Sequence, residues 1–172
     1  TNNIVVSTVM SNYGFKQAIE KFNFDLIETP VGDKYVAEAM KKYDAALGGE
    51  QSGHIIISDQ LPVGDGLVTL IYVLKAMQHF GVALSDFKKE NLYEYPQKLT
   101  NLELENKLND EELEYINQIA LDMSIKKDLD GRYLIRNSGT EPLLRVLVEA
   151  KSNEAMEEFS NELITKINKY LN

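Results

Sequence analysis

The stretch Arg136-Asn137-Ser138-Gly139-Thr140-Glu141-Pro142-Leu143-Leu144-Arg145-Val146 places two arginines around two hydroxyls and a glycine. Guanidinium forks match phosphate oxygens bidentately, Ser138 and Thr140 add short donors, and Gly139 lets the backbone turn its N–H groups toward a ligand. The stretch reads as a cradle for a phosphate. It also reads as a strand–turn–strand with Gly139 at positive φ and two surface arginines. Strand-like flanks, Tyr133 to Ile135 and Leu143 to Glu149, hold the loop rigidly and favour the cradle. A second group, Gly48-Gly49-Glu50-Gln51-Ser52-Gly53-His54, puts a carboxylate, an amide, a hydroxyl and an imidazole on a glycine-bracketed loop. Such groups share hydrogen bonds with the hydroxyls of a sugar, and glycines let a ligand approach the backbone. The alternative is a glycine-rich connection whose polar residues face water.

Composition limits what these groups can serve. With 172 residues, 44% of them hydrophobic and 26% charged, the chain is expected to fold around one large or two small cores. The absence of cysteine excludes disulfides and thiolate zinc sites and fits a cytoplasmic chain. No apolar run approaches the ~20 residues of a membrane span, and no basic-then-apolar leader opens the sequence. A net charge of -9 argues against nucleic-acid binding and leaves a small anion dependent on locally concentrated positive groups. Asp128-Leu129-Asp130-Gly131 begins like a calcium loop but has Gly139 at the twelfth position, so it is expected to be a turn and no metal site is assigned. Thr1 stands where an initiator methionine would and leads at once into a strand, so the chain is expected to be part of a longer polypeptide.

The elements that position these loops follow from periodicity. Ile4 to Val9 reads as a buried strand, Gly14 to Phe22 as a helix and Phe24 to Glu28 as a strand. Asp33 is expected to cap a helix bearing Val36, Met40 and Tyr43. Short strands are expected at Ala45 to Leu47 and His54 to Ser58. Gly64-Asp65-Gly66 opens a helix to Phe80 that is apolar nearly all round, hence expected to be buried on most faces and ended by Gly81. The aperiodic stretch around Pro96 marks a boundary. It gives a first domain over 1–92, a linker over 93–98 and a second domain over 99–172. The second domain reads as a strand from Leu99 to Leu108, a capped helix from Asn109 to Met123, strands at Arg132 to Arg136 and Leu143 to Ala150, and a helix from Asn153 to Leu171. The fold class is α/β: a mixed α/β sandwich followed by a small α+β β-α-β-β-α domain.

These motifs, in this order, resemble the carboxyl-terminal half of the α-D-phosphohexomutases, and Pro30-Val31-Gly32-Asp33-Lys34-Tyr35-Val36 matches that family's third-domain loop. The form of both motifs is most similar to the branch acting on glucosamine phosphates. The mannose- and glucose-phosphate branches differ at Gln51 and at Gly139-Thr140-Glu141, and stand as the near alternative; a non-catalytic phosphosugar-binding module is another. The resemblance implies a fourth domain like the TATA-binding protein. It implies interconversion of glucosamine 6-phosphate and glucosamine 1-phosphate through a phosphoserine enzyme and a bisphosphate, on the route to UDP-N-acetylglucosamine and the cell wall. Glu50 and Ser52 would hold sugar hydroxyls, and Arg136, Ser138, Gly139 and Thr140 the phosphate that is not transferred. Gly32 and Lys34 would face the substrate, against a solvated first-turn lysine. Arg145 would support the loop. His54 would serve proton transfer or orientation, against a strand-start histidine satisfied by a neighbour. Implied cofactors are Mg2+ and a bisphosphorylated sugar activator; implied partners are glucosamine phosphates, the amino-terminal domains of the same polypeptide and, as one option, a second copy of the full-length enzyme. Neither the family's phosphorylatable serine loop nor its aspartate-rich magnesium loop has a counterpart in residues 1 to 172, so the chain alone is expected to be inactive.

Overall fold

The computed structural model describes residues 2–171 and separates into two compact units, Thr1–Glu94 and Tyr95–Asn172. Thr1, on which the expectation of a longer polypeptide rests, lies outside the described residues.

In the first unit the β-branched run Ile4–Thr8 forms β1, at an inner position of a four-stranded sheet. It is followed by α1 (Tyr13–Lys21), β2 (Asp25–Thr29), α2 (Asp33–Tyr43), β3 (Leu47–Gly49), β4 (Ile55–Ile57), α3 (Gly66–Phe80) and α4 (Leu84–Asn91). The strand order is β2-β1-β3-β4, with β1 parallel to both β2 and β3, and β3 antiparallel to β4. The chain therefore leaves β1 toward one side and returns past it to the other, and right-handed crossovers place α1 and α2 on opposite faces. Val6, Val36, Met40, Ala45 and Ile56 form the core under α2. Gly48 lies flush beneath that helix, where a Cβ would collide with Met40 and Val36.

Three expectations change here. The strand after α2 is Leu47–Gly49, because Asp44 turns the chain in the left-handed region and Ala45 is buried before pairing begins. The residue capping α2 is Gly32, at φ 133°; Asp33 is already helical and accepts from the Lys34 N–H at 2.7 Å. Helix α3 is capped by Asp65 and closed by Gly81 as expected, yet none of its residues is buried, and Leu67 is 73% exposed. It meets the sheet chiefly at β4, a three-residue edge strand. Helix α4 carries only two large apolar residues and no side-chain cap; Phe87 stacks on Phe22 at 6.1 Å and tilts against Phe80 at 6.0 Å.

The second unit runs β5 (Gln97–Glu103), α5 (Asp110–Lys126), β6 (Gly131–Asn137), β7 (Leu143–Ala150) and α6 (Asn153–Leu171), with antiparallel order β5-β7-β6. Asn109 and Glu112 close a reciprocal capping box at the start of α5, and the helix runs past the expected Met123 to Lys126. The stripe Met156, Phe159, Leu163 and Ile167 on α6 packs with Ile116, Ala120 and Met123 of α5 against Leu144, Val146 and Val148 of the central strand. The stretch 93–98 is divided: the units part between Glu94 and Tyr95, Tyr95 is buried, and Gln97 and Lys98 already pair in β5. Strand β5 ends at Glu103, before Leu108.

Candidate functional site

The loops that follow β1, β2 and β3 leave the carboxyl ends of parallel strands at the point where the strand order reverses, which is where open α/β sheets ordinarily bind ligands. Buried hydroxyls tie the loops together. Ser7 Oγ donates to the Gly49 carbonyl at 2.9 Å and also meets Ser11 Oγ. Thr29 Oγ1 donates to the Pro30 carbonyl at 3.0 Å, and the Val9 N–H donates to Thr29 O at 2.9 Å. The second and third of these loops were legible in the sequence as candidate ligand loops, and the first was not. Its signal was Ser7-Thr8, two hydroxyls ending an otherwise apolar strand.

The loop after β3 is a tight hairpin. The Glu50 N–H donates to His54 O, and the Gly53 N–H donates to Glu50 O, each at 3.0 Å. Gly53 holds φ 96°, which an L side chain rarely adopts. The hairpin brings Glu50 Oε1 within 3.1 Å of His54 Nδ1. A carboxylate is an acceptor only, so Nδ1 carries the hydrogen, and in the neutral imidazole Nε2 presents its lone pair. The Glu50 side chain is only 10% exposed whereas His54 is 61% exposed, so the carboxylate anchors and the ring reaches outward. Ser52 and Gln51 are exposed at the tip. Gly48 belongs to helix packing rather than to ligand approach. In the β2 loop, Gly32 starts α2 while Lys34, 76% exposed, points along the helix to Glu38 at 3.9 Å.

The second unit carries the arginine loop between β6 and β7. The Ser138 N–H donates to Leu143 O at 2.8 Å and closes it. Arg136 and Arg145 are direct cross-strand partners, and Arg145 Nη2 lies 3.5 Å from Glu141 Oε2. Partial burial, and next the Arg145 charge, hold the Arg136 pKa below the usual guanidinium value. Ser138 is 2% exposed. Among the described residues, neither Ser138 Oγ nor Arg145 Nε has a hydrogen-bond partner. Such orphaned donors are uncommon in a folded interior. Gly139 is not at positive φ, and the space a Cβ would enter is open. Gly139 and Thr140 are exposed at the loop's tip. Asp128 takes φ 49° in the turn before β6, and Asp130 accepts from Tyr95 Oη at 3.0 Å. Among the described residues no group of three or more His, Asp or Glu side chains is placed to hold a metal ion, and no single helix is long and apolar enough to cross a membrane.

Comparison with known proteins matches both units. Residues 1–95 fit the alpha/beta/alpha domain III of phosphoglucomutase/phosphomannomutase, and residues 99–166 fit the C-terminal domain of the same family. A phosphoglucosamine mutase of Bacillus subtilis is 43% identical over 93% of this chain and 36% of its own length. One of Prochlorococcus marinus is 42% identical over all of this chain and 40% of its own length. The chain thus spans well under half of these curated relatives. An Aspergillus fumigatus N-acetylphosphoglucosamine mutase superposes with a TM-score of 0.80 at 19% identity, over 98% of this chain and 38% of that one. An N-acetylglucosamine-phosphate mutase in its substrate complex superposes at 0.76 and 22% identity, over 96% and 38%. The chain belongs to the phosphoglucomutase/phosphomannomutase family, of whose structure it carries the third and carboxyl-terminal domains.

Proposed function

We propose that the chain is the sugar-phosphate-binding part of a phosphoglucosamine mutase, which interconverts glucosamine 6-phosphate and glucosamine 1-phosphate. The observation that carries this reading is the pair of buried donors without partners, Ser138 Oγ and Arg145 Nε, beside the cross-strand arginines. Arg136, Arg145 and Ser138 stand on one loop and its flanking strands, and of the Arg145 fork only Nη2 is paired within the loop, with Glu141. A phosphate supplies tetrahedral oxygens for all of them, and such a loop recognises charge and shape rather than the carbon that bears the phosphate. That suits a mutase, whose bisphosphate intermediate must be held by either end.

In the first unit Glu50 orients His54 and keeps a second carboxylate oxygen for a sugar hydroxyl, with Ser52 beside it. The exposed Nε2 of His54 can accept a proton from, or orient, a hydroxyl of the bound sugar. Lys34 contributes general positive charge from the first turn of α2. The phosphoserine, the magnesium ion and a bisphosphorylated sugar activator belong, by the family resemblance, to the larger enzyme. Among the described residues no group of three or more acidic or histidine side chains is placed to hold a magnesium ion. The part of the relatives' polypeptide that this chain does not span is the occupant we assign to the bare face of α3.

Titrating uniformly labelled chain with glucosamine 6-phosphate tests the reading. Amide shifts are expected at residues 136–140 and at 50–54. Their absence at millimolar ligand, where a few charged contacts should already register, would overturn it.

A further inference from the structure

We propose that Lys107 is a third cation of the arginine loop and the residue that positions its Thr140 N–H; the proposal rests on the phosphate-binding reading above. Four hydrogen bonds attach the connection between β5 and α5 to that loop. The Leu104 N–H donates to Pro142 O at 2.9 Å. Asn137 and Leu108 exchange a pair, Nδ2–H to the Leu108 carbonyl at 2.8 Å and the Leu108 N–H to Asn137 Oδ1 at 3.3 Å. At the tip, Lys107 Nζ donates to the Gly139 carbonyl at 2.6 Å. The base and the tip of the loop are thus braced from one side by a segment some thirty residues earlier in sequence.

The brace has a directional consequence. A trans peptide is planar, with its C=O and N–H pointing opposite ways, so fixing the Gly139 carbonyl toward Lys107 aims the Thr140 N–H away from it. An ammonium on that carbonyl also polarises the peptide and strengthens its N–H as a donor. Among the described residues no carboxylate within 4.0 Å pairs with Lys107, although the protein is acidic and Glu103 and Glu105 are near in sequence. Its charge therefore adds to those of Arg136 and Arg145. Spacing did not reveal this residue, because its partner is a backbone carbonyl 32 positions away.

The test is an amide-shift titration of the whole chain with inorganic phosphate, on the unsubstituted protein, Lys107→Met, Lys107→Arg and Lys126→Met. Lys126 removes the same charge from the other end of α5, roughly 25 Å away along the helix. Lys107→Met is expected to weaken phosphate binding about tenfold and to reduce the shift of the Thr140 amide. Lys107→Arg should stay within about threefold, and Lys126→Met within about twofold. Unchanged affinity and an unchanged Thr140 response in Lys107→Met would overturn the proposal. So would equal losses in Lys107→Met and Lys126→Met, which assign the effect to overall charge. Loss of the folded spectrum in both Lys107 variants would overturn it too, by giving Lys107 a folding role. If the unsubstituted chain shows no phosphate response at 136–140, the phosphate-binding reading itself fails and this inference falls with it.

Discussion

Arg136 and Arg145 face each other across the β6–β7 pairing, two guanidinium groups at a position where cross-strand neighbours are stabilised by opposite charges. Burial and then Arg145 lower the Arg136 pKa. The folded chain therefore holds that proton less tightly than the unfolded chain. The unfolded state binds more protons in the window between the two values, so the penalty is fully present at neutral pH and lifts only at strongly alkaline pH. A bound anion would offset the repulsion between the two guanidinium groups. Arg136→Met is expected to leave the melting temperature without phosphate unchanged or slightly higher, while abolishing the rise in melting temperature expected of the unsubstituted chain with phosphate. A fall in both would show that Arg136 supports the fold instead.

Gly139 and Gly32 separate two uses of glycine. Gly139 is outside the left-handed region and faces open space, whereas Gly32 sits at φ 133°. Gly139→Ala should change stability by less than about 0.5 kcal/mol, as surface substitutions do, yet weaken phosphate binding by crowding the loop's mouth. Gly32→Ala should cost about 1–3 kcal/mol in chemical denaturation through backbone strain. Reversal of that order would place the strain in the arginine loop.

Arg132 is four residues from Arg136, but its side chain pairs with Glu149, which is fully buried. Removing a guanidinium from a buried carboxylate is expected to destabilise by about 3 kcal/mol. Arg132→Ala should therefore lower the denaturation midpoint strongly while the protein that remains folded binds phosphate normally. Equal loss of phosphate affinity in Arg132→Ala and Arg136→Ala would count against the arginine loop as the site.

Glu50→Gln keeps an oxygen that can accept from His54 Nδ1 but removes the charge and one acceptor. Sugar-phosphate affinity should fall while inorganic phosphate affinity stays, if Glu50 serves the sugar and the arginine loop the phosphate as proposed. Parallel loss of both, measured by calorimetry, would make Glu50 a support of the hairpin.

What was legible in the sequence was local. The capped start of α5 at Asn109 and the stripe Met156, Phe159, Leu163, Ile167 and Tyr170 of α6 are short-range patterns, and all of the stripe but Tyr170, 41% exposed, is buried. What was not legible depended on distant partners. Ser7 gains its role from Gly49, 42 residues away, and Gly48 from Met40 across a helix–sheet contact. The positive φ that the plain-turn alternative gave Gly139 is not adopted, because Ser-Gly marks a turn without fixing which turn. The apolar content of α3 spoke for burial, but burial belongs to the neighbours, not to the helix.

That helix supplies the last test. Leu67, Leu70, Ile71 and Leu74 are 73%, 52%, 51% and 54% exposed, an apolar face of a kind that marks an interaction surface. The curated relatives run to more than twice the span matched here, so there is polypeptide in them to cover it. If that polypeptide is the occupant, Leu70→Glu with Leu74→Glu should leave the melting temperature of the 172-residue chain within a few degrees, because neither side chain is in its core. The same substitutions should reduce its binding of an apolar dye. Placed in a full-length relative at the aligned positions, they should destabilise by about 3–6 kcal/mol, as charges introduced into a buried contact do. Full-length protein that tolerated both glutamates without loss of stability would mean that the face stays open there as well, and that its apolar character serves another partner.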